Sequence, residues 1–431
     1  MTNDRPSLIV FADDWGRHAS SCQHLVRRLQ DDWRILWVNT IGTRAVRMDG
    51  FTLRRGWEKL RRWSQGLRQV AEQMWVLDAP MLPMVGNPVT RTANRWLVTR
   101  RIRRTLRRLD MTAPVVLTTL PYTAWLLGDV GQRGVVYNCT DDYGYWPTAD
   151  REALQRAERE IRTRADLVLA ASRKLQELHR DAARCEYFPH AVDFDHFAAA
   201  ARPQPLPAAL EAIPAPRLGF FGLIYEKVDF ELLTALVTQL DQVQVVLIGP
   251  CDYCPAEFAA LPRVHLLGRQ PYEDLPRWVA GLDVLLMPYL DDEMIRQSNP
   301  LKLRECLATG KPTISIDVPE VRALQPHVDV ATSRQEFVAA VRRALDNPHD
   351  AAASQRRQDA VRNDSWEARA KQLDQYLREL VVSGQVTKSC APPSKLGGDG
   401  VQEFRDIPPP SAKSSSLRAS SEETVCNFKD S

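Results

Sequence analysis

The sequence predicts an α/β protein made of two doubly wound domains, each with a parallel sheet covered by helices on both faces. Short apolar segments alternate with stretches of helical periodicity along most of the chain, which is the pattern of buried parallel strands. The alternation stops in a Pro- and Ala-rich segment at 198–216 and then restarts, which indicates two domains and a linker. A length of 431 residues is enough for two such cores.

Residues 1–197 are predicted to form the first domain. The apolar segment SLIVFA at 7–12 is its first strand, and a helix is expected near 20–30. The other strands are expected where a short apolar segment lies between polar residues, at 34–40, 74–80, 115–120, 135–140 and 166–172. Because helices connect the strands, the carboxyl ends of the strands should share one edge of the sheet, where ligands bind.

Residues 217–350 are predicted to form the second domain. Its strands are expected at 217–222, 243–250, 264–268, 284–289, 312–316 and 328–332, with helices at 229–241, 272–281 and 299–309. Helices within 351–383 are expected to return toward the first domain. Residues 384–431 are rich in Pro, Ser, Gly and charge, and this tail is predicted to be disordered.

Composition excludes several classes of protein. The hydrophobic content of 44% and the charged content of 26% are ordinary for a globular protein. No apolar run reaches 18 residues and residues 1–10 do not resemble a secretory signal, so a cytoplasmic protein is expected. The eight cysteines are scattered, which favours reduced thiols. Cys251 and Cys254 have metal-ligand spacing, but no nearby ligands complete a zinc site, so no metal site is predicted.

The segment SNPLKLRECLATGKPTISI at 298–316 combines a polar helix start with a following strand. Ser298 or Asn299 can cap the helix, and Pro300 suits its first turn. A helix start at the ligand edge of a sheet has free N–H groups and a partial positive charge, which together favour a phosphate. Lys302 adds charge, and Glu305 can accept hydrogen bonds from sugar hydroxyls. The alternative is an ordinary capped helix in a sheet.

This segment resembles the motif of GT-B-fold glycosyltransferases of the family-4-like group, also called glycosyl transferases group 1. The matching residues are Pro300, Leu301, Lys302, Leu303, Glu305, Leu307, Ala308, Gly310 and Pro312. DLVLAASRKLQE, FPHAVDFDHF and VHLLGRQPYEDLPRWVAGLDVLLMPY resemble other family segments, and FADDWGRHASSCQHLVRRL resembles a polysaccharide-associated branch. The resemblance covers most of 7–382 in layout. It implies two Rossmann-like domains facing across a cleft, with the acceptor bound by the first and a nucleotide sugar by the second.

The resemblance also implies the donor site. The diphosphate is expected at the helix start and the ribose at Glu305; the donor residues are Gly222, His190, Arg269, Ser298, Asn299, Pro300, Leu301, Lys302 and Glu305. Two departures from the family pattern stand out. Gln297 replaces the first of two glutamates but can still hydrogen-bond sugar hydroxyls. The loop after the first strand of the second domain has Lys227 one position off and lacks the usual Arg, for which His190 or Arg269 is a candidate substitute.

The expected reaction is transfer through an oxocarbenium-like state, with negative charge developing on the leaving diphosphate. The helix start with Lys302 and Lys227 would stabilise that charge. Asp141 and Asp142 are candidates for orienting the acceptor hydroxyl, and either could act as a base if the enzyme inverts. The predicted catalytic set is Asp141, Gln297 and Lys227. In the retaining group resembled here the leaving phosphate can take the proton, so no dedicated base is expected. The acceptor residues are Asp14, Trp15, Gly16, Arg17, His18 and Asp142; for the aspartates the alternative is a solvated turn or helix cap.

The charge of the chain is uneven. Residues 1–110 hold 21 Lys and Arg against 10 Asp and Glu, a net +11 within a chain of net +3. The basic segments 54–68 and 91–110 also carry tryptophans, which suits an anionic membrane surface. The residues expected to contact it are Arg95, Trp96, Arg100, Arg101 and Arg104. The alternative is a sheet-covering helix with solvated arginines; no nucleic-acid-binding motif appears.

These observations predict a metal-independent glycosyltransferase without a cofactor. It would move a sugar from a nucleotide-diphosphate sugar to a glycan or lipid-linked acceptor, in surface polysaccharide or glycolipid synthesis. A peripheral position on the inner face of the plasma membrane is compatible with this expectation. Two alternatives stay open. A sugar-nucleotide epimerase would need its own acid/base carboxylates at the sugar, and the Arg/Trp segments argue against it. A non-catalytic partner of a polysaccharide assembly complex would fit Gln297 and the missing Arg.

Overall fold

The computed structural model describes residues 5–16, 20–39, 66–79, 88–142, 151–347 and 350–383. Arg17, His18, most of the basic segment 54–68 and the predicted tail 384–431 lie outside these residues. The described chain forms an eight-stranded and a six-stranded sheet, each with helices on both faces. None of the described helices is both long and apolar enough to cross a bilayer.

The first sheet holds the strands of the amino-terminal part of the chain. They are β1 (Ser7–Phe11), β2 (Arg34–Val38), β3 (Leu67–Ala71), β4 (Met74–Leu77), β5 (Val115–Thr118), β6 (Gly134–Cys139), β7 (Leu167–Ala170) and β8 (Cys185–Tyr187). Their order is β3-β4-β2-β1-β5-β6-β7-β8. All pairs are parallel except β3–β4, an antiparallel edge pair that the sequence analysis did not predict.

Helices cover both faces of this sheet. They are α1 (Ser21–Leu29), α2 (Pro88–Arg108), α3 (Arg151–Arg164) and α4 (Arg173–Leu178), with a 3-10 helix at Pro121–Leu126. Val98 and Ile102 of α2 and Ile161 of α3 pack against one face. Leu25 and Val26 of α1 pack against the other. Buried strands between two helical layers explain why their sequences are almost continuously apolar.

The second sheet holds β9 (Arg217–Phe221), β10 (Gln244–Ile248), β11 (Val264–Leu266), β12 (Val284–Met287), β13 (Thr313–Ile316) and β14 (Asp329–Ala331). Their order is β11-β10-β9-β12-β13-β14, and all pairs are parallel. The helices before and around it are α5 (Phe194–Ala198), α6 (Ala208–Glu211), α7 (Phe230–Gln239), α8 (Ala256–Ala259), α9 (Leu275–Ala280), α10 (Glu293–Gln297), α11 (Leu301–Ala308), α12 (Pro319–Arg322) and α13 (Arg334–Asp346), with 3-10 turns at Ala199–Ala201 and Tyr272–Asp274.

The Pro/Ala-rich segment 198–216 is packed on the second sheet rather than free in solution. Leu210 of α6 and Ile213 are buried in the same apolar cluster as Trp278 of α9. A side chain at Gly281 would meet Leu210 at 2.6 Å, so this contact is close. The segment is therefore both the connection between the sheets and part of the second core.

Two helices close the described chain, α14 (Ala351–Val361) and α15 (Trp366–Val382). Helix α14 lies on α11, close enough that a side chain at Gly310 would meet the Ser354 hydroxyl at 2.0 Å. Helix α15 then packs on α1 of the first sheet, and its Trp366 stacks on His24 at 4.8 Å. The chain thus crosses back to its amino-terminal part after completing the second sheet.

A buried polar network joins the two sheets near α12. The Glu320 carboxylate accepts hydrogen bonds from the Arg173 backbone N–H at 2.6 Å and from the Tyr187 hydroxyl at 2.7 Å. Asn299 donates to Glu320 at 3.3 Å and to the Ala171 carbonyl at 2.7 Å. Glu320 and Asn299 are both buried, so these hydrogen bonds hold the two parts of the chain in one orientation.

We expect Glu320→Ala to destabilise the protein by about 2–4 kcal/mol, because it leaves buried donors on both sides without an acceptor. Urea denaturation followed by tryptophan fluorescence would measure this loss. Glu257→Ala, on the exposed face of α8, is the control and should change stability by less than about 0.5 kcal/mol. Equal effects of the two variants would show that the network contributes little.

Candidate active site

The order of the strands fixes where a ligand can bind. In the first sheet the chain reverses direction at β1, between β2 and β5; in the second it reverses at β9, between β10 and β12. Clefts that bind ligands open beyond the carboxyl ends of the strands at these reversal points. The segments concerned follow β1, β9 and β12. Their described parts, 12–16, 222–229 and 288–300, hold many of the predicted donor, acceptor and catalytic residues.

Two glycines lie side by side at the ends of β9 and β10. Gly222 has a φ of +144° and Gly249 a φ of +152°, a region that residues with a side chain rarely adopt. The Gly222 N–H donates to the Ile248 carbonyl at 2.9 Å. A Cβ atom at Gly249 would lie 1.8 Å from the Gly222 carbonyl oxygen, so only glycine fits there. The pair brings the backbone of two strand ends into direct contact at the edge of the cleft.

Lys302 and Glu305 form an ion pair on the first turns of α11, with 2.6 Å between Nζ and Oε2. The Lys302 ammonium also lies 4.4 Å from the centroid of the Phe221 ring, a cation–π contact at the end of β9. A Cβ at Gly222 would be 3.3 Å from Cε of Lys302, so the glycine leaves room for the lysine stem. Gly222, Lys302 and Glu305 are thus brought together, as the sequence analysis expected of donor-site residues.

The start of α11 differs from the predicted capping. Pro300 is the N-cap residue and no side chain caps the helix, so the prediction that Ser298 or Asn299 caps it is wrong. Ser298 instead ends α10, and its hydroxyl donates to the Ile295 carbonyl at 2.8 Å. Asn299 is buried and its amide satisfies the Ala171 carbonyl, which would otherwise lack a partner. The N–H groups of the first turn are therefore not occupied by a capping side chain.

Lys227 and Asp141 approach the same point from opposite sheets. Lys227 pairs with Asp292 at 2.6 Å. Burial, together with the negative charges of Asp141 and Asp292, raises the pKa of Tyr225 to about 12. Asp141 follows β6 of the first sheet, and burial and the charge of Asp142 raise its own pKa. The loop after β9 therefore faces the loop after β6 across the cleft.

Gln297 is the last residue of α10, whose N-cap residue is Asp292. Its side-chain amide donates to Glu293 at 2.9 Å, and its backbone carbonyl accepts a hydrogen bond from the Ser172 hydroxyl at 2.6 Å. With Glu293 it lines a cavity of about 570 Å³ whose other wall is formed by residues of α3, α4 and the segment that follows α4. The cavity is open and polar, and it lies between the two sheets.

The loop after β1 is held by side chains of its neighbours. The Trp15 N–H donates to the Asn39 side chain at 2.9 Å, and the Trp15 ring meets Trp37 edge-on at 4.9 Å. Gly16 has a φ of +79° and donates to the Gln23 side chain at 3.2 Å. Gln23 also donates to the Asp14 carbonyl at 3.4 Å. The described part of this predicted acceptor loop is thus fixed at the cleft edge of the first sheet.

His190 links the first sheet to α11. Its Nδ1 lies 3.0 Å from the Ser21 hydroxyl of α1. Burial, together with the positive charge of Arg304, lowers the pKa of His190 to about 4. The ring is therefore neutral at physiological pH and supplies no charge for a diphosphate. Arg304 itself donates to Asn299 at 2.7 Å and to Asp364 at 2.9 Å, so its guanidinium is already paired.

The low pKa of His190 should make stability depend on pH. The unfolded chain binds a proton near pH 6.5 but the folded chain does not until about pH 4, so stability falls as the pH falls through this window. Between pH 7 and pH 4.5, the free energy of unfolding of the wild type should therefore fall by about 2 kcal/mol more than that of His190→Gln, which lacks the titrating ring. Urea denaturation across this range measures it, with His327→Gln as the control. Parallel curves for wild type and His190→Gln would contradict the expectation.

Arg269 lies one strand further along the same sheet edge, next to Gly268, whose carbonyl accepts a hydrogen bond from the Gly249 N–H at 2.9 Å. It follows β11, the edge strand of the second sheet, and its side chain is exposed. The sequence analysis, in turn, missed residues that contribute to the cleft. Tyr272 is one of them; its side chain is 36% exposed, and partial burial with the nearby charges of Glu305 and Asp193 raises the pKa of its hydroxyl. Asp292 is another; its place in the polar stretch LDDEMIRQ at the ligand edge could have pointed to it.

Three residues with metal-ligating side chains meet below the loop of Asp141, where the sequence analysis predicted no metal-binding cluster. They are Cys139, Glu158 and His179, whose ligand atoms lie within 4.8 Å of one another. Nothing in the sequence indicated this group, because the three residues come from separate elements with no motif spacing, and the absence of a metal site stays a prediction. By contrast, Cys251 of the Cys251–Cys254 pair is exposed at the surface.

The basic helix α2 both covers the sheet and presents a charged face. Val98 and Ile102 are buried, whereas Trp96 is 59% exposed. Arg95 pairs with Asp129 at 2.9 Å, and the Arg100 guanidinium lies 5.1 Å from the centroid of the Trp96 ring. Arg101 and Arg104 are also exposed. The helix therefore fits both interpretations, because one face covers the sheet and the opposite face is exposed and can contact a membrane surface.

Comparison with known proteins gives a family match for the part of the chain that contains the second sheet. Residues 215–347 match the family model of glycosyl transferases group 1. The putative teichuronic acid biosynthesis glycosyltransferase TuaH of Bacillus subtilis is 25% identical over 264 residues, which is 56% of this chain and 66% of that protein. The chain thus spans somewhat less than two thirds of the length of this curated relative. The resemblance to group 1 glycosyltransferases is confirmed, at the level of this domain.

Solved structures confirm the GT-B fold. Sucrose-phosphate synthase from Thermosynechococcus elongatus superposes with a TM-score of 0.66 at 16% identity, covering 88% of this chain and 100% of that chain. HepE of Anabaena in complex with UDP gives a TM-score of 0.61 at 14% identity, covering 87% of this chain and 100% of that chain. At these identities the similarity concerns the fold.

Proposed function

We propose that this chain is a glycosyltransferase of group 1 that takes a sugar from a nucleoside-diphosphate donor and transfers it in the synthesis of a surface polysaccharide or glycolipid. The observation that carries the proposal is the cluster of Gly222, Lys302 and Glu305 at the reversal point of the second sheet, within the segment that matches the family model. The relative TuaH supports the polysaccharide context by its name, and HepE holds UDP in its structure.

The donor diphosphate would lie against the first turn of α11. Its N–H groups are not capped by a side chain, and the helix dipole favours negative charge there. Lys302 would share its charge between Glu305 and the phosphate oxygens as negative charge develops on the leaving group. Gly222 provides close backbone approach, and Lys227 would contribute from the β9 loop, as far as its pairing with Asp292 allows. Glu305 would accept hydrogen bonds from the hydroxyls of the donor ribose.

The acceptor would enter from the first sheet. Asp141 faces the β9 loop and would orient the acceptor hydroxyl, with Asp142, Asp14 and Trp15 lining the approach. Its raised pKa comes from burial, so a hydrogen bond from a hydroxyl would be strong in this environment. A retaining course, in which the leaving phosphate takes the acceptor proton, needs no further base. Gln297 would contact the donor sugar through its amide.

Binding of nucleotides is the direct test of this function. Thermal melting with UDP, GDP, ADP and dTDP should single out one base, since a ligand at 100 times its Kd stabilises the folded state by about 2.7 kcal/mol. UDP is the first choice because HepE binds it. The matching sugar nucleotide should then lose its sugar to water or to a membrane extract of the source cells. A folded protein that binds none of these nucleotides would favour a non-catalytic partner of an assembly complex.

We also propose that the exposed face of α2 docks on an anionic membrane, which would bring a lipid-linked acceptor to the cleft. Trp96, Arg100, Arg101 and Arg104 are exposed on one helix whose opposite face is fixed in the core. Basic residues with an exposed tryptophan favour the interface of an anionic bilayer. Arg95 contributes less, since Asp129 neutralises it.

The membrane proposal predicts salt-sensitive binding to vesicles. Because each arginine near an anionic surface contributes about 1 kcal/mol, the double variant Arg100→Gln, Arg104→Gln should bind at least about tenfold more weakly to vesicles that contain phosphatidylglycerol. Co-sedimentation measures the affinity, with neutral phosphatidylcholine vesicles as the lipid control. Arg342→Gln, on an exposed position of α13, is the matched protein control. Equal binding of all variants would place the membrane contact elsewhere.

A further inference from the structure

A buried cluster of polar side chains lies inside the first sheet's helical layer, outside the cleft. Cys139 is the last residue of β6, Glu158 lies on α3, and His179 ends α4. All three are more than nine-tenths buried. Residues 139, 158 and 179 are thus gathered from three elements, and their ligand atoms lie within 4.8 Å of one another.

Within the cluster, the missing hydrogen-bond partners of His179 are the feature that calls for an explanation. Both ring nitrogens are buried, and neither has a hydrogen-bond partner in the described part of the chain. The ring is only 1% exposed and meets the Tyr137 ring edge-on at 5.8 Å. Buried ring nitrogens normally find a partner, so one aimed at a thiol and a carboxylate indicates a missing group between them.

We propose that Cys139, Glu158 and His179 form a binding site for one divalent cation of the zinc class. In the structure His179 Nε2 and Cys139 Sγ each lie 3.9 Å from Glu158 Oε1. Around a tetrahedral zinc ion these ligand atoms would be about 3.4–3.6 Å apart, given metal–ligand distances of about 2.0–2.3 Å. The third pair, Cys139 and His179, lies within 4.8 Å, so shifts between a few tenths of an ångström and about 1 Å would complete three of the four positions. The fourth is left for a water molecule or the Tyr137 hydroxyl.

The donor set fits this ion in type and in charge. Thiolate, imidazole and carboxylate are the ligands of zinc, and one of each with a divalent ion gives a neutral site, as a buried position requires. Binding would displace the proton of the Cys139 thiol and any proton on Glu158.

The position of the site suggests both a route for the ion and a purpose. Leu178 and Arg180, the neighbours of His179 in the chain, line the open cavity between the two sheets, with Arg162 and Asp181 beside them. Cys139 is two residues before Asp141, and its thiol now donates to the Asp141 carbonyl at 3.5 Å. An ion held by β6, α3 and α4 would fix the strand end from which Asp141 and Asp142 extend.

Metal analysis of the full-length protein tests this site without reference to activity. The protein, produced in zinc-containing medium and dialysed, should hold about one zinc per chain by mass spectrometry. Titration of the metal-free protein with Co²⁺ should give a thiolate-to-cobalt charge-transfer band, which identifies a cysteine ligand. Cys139→Ser should abolish the band, and His179→Gln should lower the Co²⁺ affinity at least tenfold.

The control is the surface pair with metal-ligand spacing. The double variant Cys251→Ser, Cys254→Ser should keep both the zinc and the band. Loss of metal in that variant, or a folded wild-type protein that takes up neither zinc nor cobalt, would overturn the proposal. If Cys139→Ser does not fold, the wild-type cobalt spectrum and His179→Gln still test the proposal. Unchanged Co²⁺ affinity in His179→Gln would show that the imidazole is not a ligand.

Discussion

Glu305→Ala is expected to lower kcat/KM for the nucleotide-sugar donor by about 100- to 1,000-fold. A hydrogen bond to a charged group contributes about 1.5–3 kcal/mol, and the Glu305 carboxylate can accept two from a ribose. Each 1.36 kcal/mol is a factor of ten in rate. The side chain is largely buried beside the start of α11, so water would replace it poorly. Initial rates of donor turnover and the Kd of the nucleotide measure the loss.

The same change also breaks an ion pair, and this effect has to be separated. Glu305 pairs with Lys302 three residues earlier on the same helix, and its removal leaves a partly buried ammonium. Asp359→Ala breaks an exposed pair of the same i, i+3 spacing with Arg362 at the end of α14, and is the control for the loss of a carboxylate from such a pair. We expect that control to keep full activity. A Glu305→Ala enzyme that binds the nucleotide within about threefold of wild type would limit Glu305 to the pairing of Lys302.

The sequence was sufficient for most of the fold because the signal was local. Every predicted strand that lies within the described residues is present, and helices α14 and α15 lie within the region 351–383 where helices were predicted. The strands that were missed had no such signal. Strand β3 reads LRQVA and is mostly exposed at the sheet edge, so its apolar pattern is weak. Strand β8 has three residues, too few for any periodicity.

The candidate site was predictable where its residues share one element. Lys302 and Glu305 lie three apart on a helix, so the sequence alone places them on one face. Asn299 was misassigned as a cap because the prediction considered only its local backbone. Its amide instead reaches the Ala171 carbonyl, 128 residues away, whose buried position makes an unpaired oxygen costly. A hydrogen-bond partner this distant in sequence cannot be predicted before the relative positions of the two sheets are known.

The cluster of Cys139, Glu158 and His179 was out of reach for the same reason. A metal site is recognised in a sequence by ligands at short, fixed spacing, and these residues lie on β6, α3 and the end of α4. The pair with the right spacing, Cys251 and Cys254, lies at the surface after β10. Spacing alone therefore could not indicate Cys139, and only the packing of α3 and α4 on β6 brings the three buried side chains together.

Gly249→Ala is expected to be the most damaging small substitution in the second sheet. The added Cβ would lie 1.8 Å from the Gly222 carbonyl oxygen, which is backbone and cannot turn away. The φ of +152° adds strain for any residue with a side chain. Together these effects should cost more than about 3 kcal/mol, either as lost stability or as displacement of the β9 end that carries Gly222. Thermal melting and nucleotide affinity would register the two outcomes separately.

The variant Gly268→Ala separates the cost of the steric clash from the cost of the left-handed backbone conformation. Gly268 ends the neighbouring strand β11 with a φ of +66°, and an added Cβ there meets nothing within 4 Å. We expect it to cost about 1–2 kcal/mol, the usual penalty for a left-handed residue with a side chain. The additional loss of stability in Gly249→Ala would then measure how tightly the ends of β9 and β10 are held together. If both variants lose the same stability and bind nucleotide equally well, the close approach of the two glycines is not required for the donor site.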